Sequence, residues 1–392
     1  MERMRRVVIT GLGVTSPFGT GVKAYWTGLA AGACAIRPVS LFDTTGFRCG
    51  IAAEVPEVVG SPRRSRADRL ALVAAREALE DAGFGRGERA RAALVVGAVG
   101  GGMLEAETWY WTREQAGDRP PTALRSILPA SHAEVLSHVL GIHGPRETVV
   151  AACSSGAAAI ALAADLVVDG IVPYALAGGA DALTRICYMG FNALKLLDVE
   201  PCRPFDRDRR GMSIGEGAGF VVLEDAGHAR ARGARAYAEL RGAAITSDAY
   251  HATAPHPDGD GMVRAMVDAL RHAGTRPADV TYVNAHGTAT PQNDRIEAHA
   301  IRRVFGDGRV LVSATKSMIG HTMAAAGSLE AVATILAVVH DLVPPTANHE
   351  TPDPEAVFDC VPKVARDARV DVAISNSFGF GGQNVTLVAA KP

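Results

Sequence analysis

The chain contains no C-x-x-C pair and no H-E-x-x-H, although it carries six cysteines: Cys34, Cys49, Cys153, Cys187, Cys202 and Cys360. That spacing gives no support to structural zinc. At 392 residues the core needs no disulfide staples, so reduced thiols in a cytosolic protein are expected. An h-region is also missing: in "MERMRRVVITGLG" glycines interrupt the apolar run almost at once, and no secretion is expected. The most apolar region, residues 149–180, is broken by Asp165, Asp169 and Pro173. It reads as core rather than as a membrane span. A surplus of either charge is lacking too. The formal net charge is -2, which excludes a chain-wide basic field for nucleic acid. An acidic partner would need a local patch. The run "SPRRSRADRL" offers Arg63, Arg64, Arg66 and Arg69, although a solvated helix start in an arginine-biased chain explains the same residues.

What is present is alternation. Short β-branched runs such as "RRVVITGLG", "ALVVGAVGGG", "VTYVNAHGT" and "VAISNSFGFGG" alternate with alanine-rich helical stretches, which predicts an α/β protein with buried strands. The chain also echoes itself. "VVAACSSGAAAIALAADLVVDG" and "VLVSATKSMIGHTMAAAGSLEAVATILAVVHDL" both read strand, small polar turn, helix. "GMSIGEGAGFVVLE" and "NSFGFGGQNVTLVA" are both glycine-rich turns running into a strand. Two echoes in one order predict a duplicated unit, 1–230 and 231–392, with the softest boundary at residues 225–237.

Four constellations could carry chemistry. Cys153 lies between a strand and a helix start, where free N–H groups and the helix dipole favour a thiolate and could bind an oxyanion. A buried, inert thiol among alanines is the plainer reading. "YVNAHGTATPQND" delivers His286 from a strand into a turn. "VSATKSMIGHTMAAAG" places Lys316 and His321 before a helix, and a lysine in so arginine-rich a chain suggests a geometric need. Glu330, in an otherwise apolar helix, needs a buried partner that Lys316 or His321 could supply. "SNSFGFGGQN" joins a flexible backbone to bulky side chains, as a gate would. Two decoys fail: "GLGVTSPFG" has Ser16 where a dinucleotide loop needs glycine, and "GEGAGF" enters a strand. No G-x-S-x-G elbow is present.

Taken together, these segments resemble the β-ketoacyl-acyl-carrier-protein synthases, in particular the synthase II type and the related ketosynthases of bacterial polyketide systems. "AACSSG", "RPFDRDRRG", "GEGAG", "VNAHGTATPQND", "TKSMIGHTMAAAG" and "NSFGFGGQN" occur in the family's order over essentially the whole chain. The resemblance implies a thiolase-like five-layer αβαβα fold of two similar halves, with the cysteine in the first and both histidines in the second. It implies Cys153 as acyl-accepting nucleophile, with the amides of Cys153 and Phe380 as oxyanion hole. It implies His286 and His321 as donors to the malonyl thioester, and Lys316, Glu330 and Asn376 in support. Thr288 and Thr290 match the phosphopantetheine channel, Phe380 the gate, and the four arginines a docking surface for the acidic carrier protein. No metal and no cofactor of the chain's own are expected, since phosphopantetheine arrives on the acyl carrier protein. A cytoplasmic homodimer, or a heterodimer with a chain-length-factor-like subunit, is expected.

The chain departs from the family in three places. "GAVGGGM" puts Gly100 where relatives carry an apolar side chain at the bottom of the acyl pocket, which suggests room for long or rigid chains. "LKLLDVEPCRPFD" is short, and "PTALRSILPASH" is unlike the common form. A non-catalytic chain-length factor would lack the cysteine. A thiolase would use a second cysteine, and a synthase III would have asparagine for one histidine.

Overall fold

A computed structural model describes residues 5–116, 122–308 and 310–392. The first four residues of the basic start and Pro121 of "PTALRSILPASH" lie outside the described residues. Ten strands follow one path through an 11-stranded sheet. In chain order they are β1 (Val7–Ser16), β2 (Ala93–Gly97), β3 (Arg146–Val149), β4 (Tyr174–Asp181), β5 (Gly217–Asp225), β6 (Ala238–Ser247), β7 (Tyr282–Asn284), β8 (Leu311–Ser313), β9 (Val372–Gly379) and β10 (Gln383–Ala390). The spatial order is β8-β7-β9-β10-β6-β1-β5-β4-β2-β3, with the same internal order in each half. β2 runs parallel to β3 and β4, and β5 antiparallel to β4 and β1. The second half repeats this, with β7 parallel to β8 and β9, and β10 antiparallel to β9 and β6. The antiparallel pair β1/β6, with Val7 opposite Leu240, joins the halves.

Five helices make the layers: α1 (Arg66–Asp81), α2 (Ser155–Val168), α3 (Asp260–His272), α4 (Pro291–Phe305) and α5 (Ala326–His340). α2 and α5 pack on each other and on strands of both halves. α1 covers β1, β5 and β4 from one outside, while α3 covers β6 and β10 from the other with α4 against it. The arrangement is αβαβα, as the resemblance implies, and it is α/β and duplicated, as the alternation and the echoes predict. The first echo is β3 leading into α2 and β8 leading into α5. The second is the glycine-rich approach to β5 and to β10.

Small residues make the middle layer possible. A Cβ on Gly156 would stand 2.7 Å from the Ala324 carbonyl oxygen, and one on Gly327 2.7 Å from the Ala157 Cβ, so both helix starts approach closer than any side chain permits. Among the described residues one helix, 323–340, is long and apolar enough to cross a membrane, and 89% of it is buried inside the protein. The sequence reading singled out residues 149–180 instead, because apolar length alone does not separate a core helix from a span.

Candidate active site

The nucleophile candidate sits at the strained start of a central helix. Leaving β3, the chain makes a short turn, Ala152–Ser154, before α2. Ala152 has φ +48°, a conformation that costs free energy in a residue with a Cβ and aims its neighbour out of the helix line. Ser154 Oγ donates to the Ala151 and Gln383 carbonyls at 2.7 and 3.0 Å, and Ser155 Oγ to the Ala152 carbonyl at 2.7 Å. The turn is therefore held from both halves. The N–H groups of Phe380 and Cys153 bear on the sulfur. Burial pushes the Cys153 thiol above its ordinary pKa, and the Phe380 N–H, Lys316 and its own N–H only partly oppose this. The expected thiolate preference is thus corrected: desolvation outweighs the helix start.

The two imidazoles are fixed from behind. Glu297 on α4 accepts the N–H groups of His286 and Gly287, each at 2.8 Å. Lys316 Nζ donates to the His286 carbonyl at 2.6 Å, approaches His286 Nδ1 at 3.3 Å and pairs with Glu330. His321 Nδ1 accepts the Met323 N–H at 3.2 Å. With both Nδ1 atoms accepting, the proton of each neutral ring belongs on Nε2. His321 Nε2 has no hydrogen-bond partner among the described residues. The rings stand 5.5 Å apart at 88°. Burial holds both pKa values well below the usual histidine range, with Lys316 adding to the effect on both and His321 adding to it on His286. Two neutral N–H donors result. Burial pushes the Glu330 and Glu297 carboxyls up to about 7.

Cys153, His286, His321, Thr288, Thr290 and Phe380 line one cavity of about 320 Å³. Thr288 and Thr290 share a hydroxyl contact of 2.9 Å. Phe191, Leu194, Leu196 and Met212 make an apolar wall, and the Phe191 ring lies 6.0 Å from that of Phe380. Leu194 and Leu196 come from the short "LKLLD" segment, so that departure shapes the cavity. The turn Phe380–Gly382 uses Gly381 and Gly382 at φ +79° and +72° and is tied to a neighbouring loop by the Gly381 N–H on the Ala252 carbonyl at 2.8 Å.

Several expected residues are elsewhere. Arg66 faces inward, its guanidinium on Glu216 and the Val55 carbonyl, because a fully buried carboxylate demands a partner. Arg69 turns to the Val58 carbonyl at 3.3 Å. Arg63 is exposed and Arg64 half-buried, and of the four arginines expected at a docking surface these two carry no such inward contact. Gly100 does not line the cavity. Its N–H binds Asp181 Oδ1 at 3.0 Å, and a Cβ there would stand 2.6 Å from that oxygen, so Gly100→Phe would collide with Asp181 instead of filling an acyl pocket. Asn376 accepts from Thr386 Oγ1 at 2.8 Å and reaches the Met266 sulfur at 3.4 Å, placing it in the packing of α3 rather than beside Lys316. The residue that does support Glu330 is Asn284, whose Nδ2 donates to its carbonyl at 3.2 Å. Sequence reading missed Asn284 and Glu297. A signal for Glu297 was available in "PQNDRIEAHA", where Asp294 and Glu297 stand three apart on the buried side of a helix.

Comparison with known proteins agrees with this geometry. Residues 4–229 match the family model "Beta-ketoacyl synthase, N-terminal domain", and residues 237–350 match "Beta-ketoacyl synthase, C-terminal domain". The chain is 40% identical over 410 residues to a 3-oxoacyl-[acyl-carrier-protein] synthase 2 of Synechocystis sp., covering 99% of this chain and 98% of that protein. It is also 40% identical over 415 residues to the tetracenomycin polyketide synthase ketoacyl synthase alpha subunit of Streptomyces glaucescens, covering 99% and 97%. Among solved structures, the ishigamide ketosynthase/chain length factor superposes with a TM-score of 0.95 at 38% identity, covering 100% of both chains. With family models matched over residues 4–229 and 237–350 and a cysteine facing two histidines in one cavity, the chain belongs to the β-ketoacyl synthase family.

Proposed function

We propose that this chain catalyses decarboxylative condensation of an acyl group on Cys153 with a malonyl thioester on acyl carrier protein, in type II fatty acid or polyketide synthesis. The observation that carries the reading is one cavity in which a thiol beneath two N–H groups faces two neutral Nε2–H donors. Cys153 sulfur attacks the acyl thioester carbonyl, and the N–H groups of Cys153 and Phe380 take the negative charge that develops on its oxygen. The carbon–sulfur bond to the pantetheine arm breaks, and the thiol proton leaves with the carrier. The malonyl thioester carbonyl then sits between His286 and His321. As its carbon–carbon bond breaks and carbon dioxide departs, the two Nε2–H groups hold the enolate oxygen. The enolate carbon attacks acyl-Cys153 and the β-ketoacyl thioester leaves. One proton is taken up as the thiol re-forms. Lys316 and Glu330 hold His286 in place. Thr288 and Thr290 line the approach of the arm, and Phe380 closes it. The reaction uses no cofactor of the chain's own, and the cytoplasm is the compartment proposed for it.

Intact mass measurement after acyl-carrier protein is offered should show the acyl mass on the wild type and none on Cys153→Ala. Adding malonyl-carrier protein should discharge it. A wild type that gains no mass, or an alanine variant that does, sinks the proposal. A second reading, activity only as a heterodimer with a chain-length-factor-like subunit, is supported by the ishigamide pair. It is also supported by Trp111, Leu128, Val150 and Ile186, which are more than half exposed. Exposed apolar residues of this size mark interaction surfaces.

A further inference from the structure

The duplicated fold carries the oxyanion geometry twice. The turns before α2 and α5 are structural mates: Ala152 and Met323 each stand three residues before the first helical residue, at φ +48° and +54°. Cys153 therefore corresponds to Ala324. The strands beside them correspond too. Asp181 ends β4 opposite Gly217, the first residue of β5, and Gly379 ends β9 opposite Gln383, the first residue of β10. Asp181 is the mate of Gly379, and Ala182 the mate of Phe380.

At the turn before α2 the paired N–H groups are those of Cys153, from the first half, and Phe380, from the second. Gly379 leaves them unobstructed: a Cβ there would already press to 3.2 Å from the Cys153 nitrogen and 3.0 Å from the Ala151 oxygen. At the turn before α5 the paired N–H groups are those of Ala324, from the second half, and Ala182, from the first, and a side chain occupies them. Asp181 Oδ2 accepts the Ala324 N–H at 3.2 Å, the Ala182 N–H also bonds the carboxylate, and Oδ1 takes the Gly100 N–H at 3.0 Å. Asp181 is 2% exposed. A carboxylate thus sits where, at the turn before α2, a developing oxyanion would sit.

The consequence falls on His321. Ala324 follows Met323, whose N–H sets the His321 tautomer, and Met323 is held at positive φ, a conformation that persists only where its surroundings impose it. We propose that Asp181 is a positioning residue: by filling the second copy of the oxyanion site it holds the Met323–Ala325 turn, and through it His321, ready for the malonyl step. This rests on the reaction proposed above, and the two fail in different ways, since wild-type acylation and discharge test the reaction alone.

The variant is Asp181→Asn, which keeps the shape and replaces one acceptor by a donor facing an N–H. In single turnovers, acylation of Cys153 should stay within about twofold of wild type. Discharge of the acyl-enzyme by malonyl-carrier protein should fall at least about tenfold. Heteronuclear NMR of the imidazoles should show His321 losing its single Nε2–H tautomer. Equal loss in both steps, or wild-type rates in both, overturns the proposal. Gly379→Asp carries the test if Asp181→Asn does not fold. A carboxylate there should occupy the Cys153 and Phe380 N–H groups, cutting acylation at least about tenfold while malonyl decarboxylation persists; undiminished acylation overturns the equivalence.

Discussion

Lys316 is 1% exposed and pairs with Glu330 while bonding the carbonyl of His286. Its charge helps keep both imidazoles neutral. Removing it relaxes both histidine pKa values upward, and a protonated His321 can no longer accept the Met323 N–H. Lys316→Ala should therefore move the acid limb of the malonyl step to higher pH. A pH–rate profile superimposable on wild type except in height would contradict this. The same substitution leaves Glu330 buried and unpaired, a change that costs about 3–5 kcal/mol where the carboxylate cannot take a proton.

Glu297 gives a stability test with a definite sign. Its folded pKa lies near 7, above the ordinary 4.5, so the folded state binds the proton more tightly. That contribution is complete below about pH 4.5 and disappears as pH rises through 7. In Glu297→Gln it is absent. The stability advantage of wild type over variant should therefore shrink between pH 5 and pH 8, by at most about 3 kcal/mol. Denaturant midpoints of both proteins at the two pH values decide the point, and a constant difference refutes it.

At the scale of elements, α2 and α5 depend on glycine at their crossing. Gly327→Ala places a methyl 2.7 Å from the Ala157 Cβ and the Ser377 Oγ. Helix propensity alone favours alanine by about 1 kcal/mol, but overpacking a dense core costs typically about 1–3 kcal/mol. A net lowering of the melting temperature is expected, and an unchanged or raised one would show that the helices can part. At the start of α1, Arg66 and Arg63 should behave in opposite ways. Arg66→Ala abandons a carboxylate whose side chain is fully buried and should destabilise by about 3 kcal/mol. Arg63→Ala should stay within about 0.5 kcal/mol and is the cleaner probe of carrier docking. Equal effects in thermal unfolding would refute the assignment.

For the whole molecule, Trp111, Leu128, Val150 and Ile186 are apolar and more than half exposed, and the dimer proposed above would cover them. Light scattering of the purified protein should give at least twice the 40.8 kDa of one chain, or a second subunit of similar size should copurify. A clean monomer would leave Val150 and Trp111 unexplained. The α/β class and the duplication were legible because their causes are local: β-branched runs, alanine-rich helices and two echoes that turn out to be topological mates; the layers were implied by the family resemblance. Cys153, His286 and His321 were legible only as candidates in turns at strand ends, and it was the family resemblance that implied their roles.

Contacts between distant segments were not legible. Arg66 looked like surface because its partner, Glu216, lies 150 residues away. Asn376 sits four residues from Phe380, but its side chain meets Thr386 and Met266. Gly100 was read against an acyl pocket, while its real constraint is Asp181. The sequence by itself determined the architecture and the chemical groups, since periodicity and turn residues act within a few positions. Only the tertiary structure decided which N–H groups stand open at Cys153 and which are closed by Asp181, and how far burial moves each pKa. Those quantities depend on desolvation and on hydrogen bonds between the two halves, and neither is written along the chain.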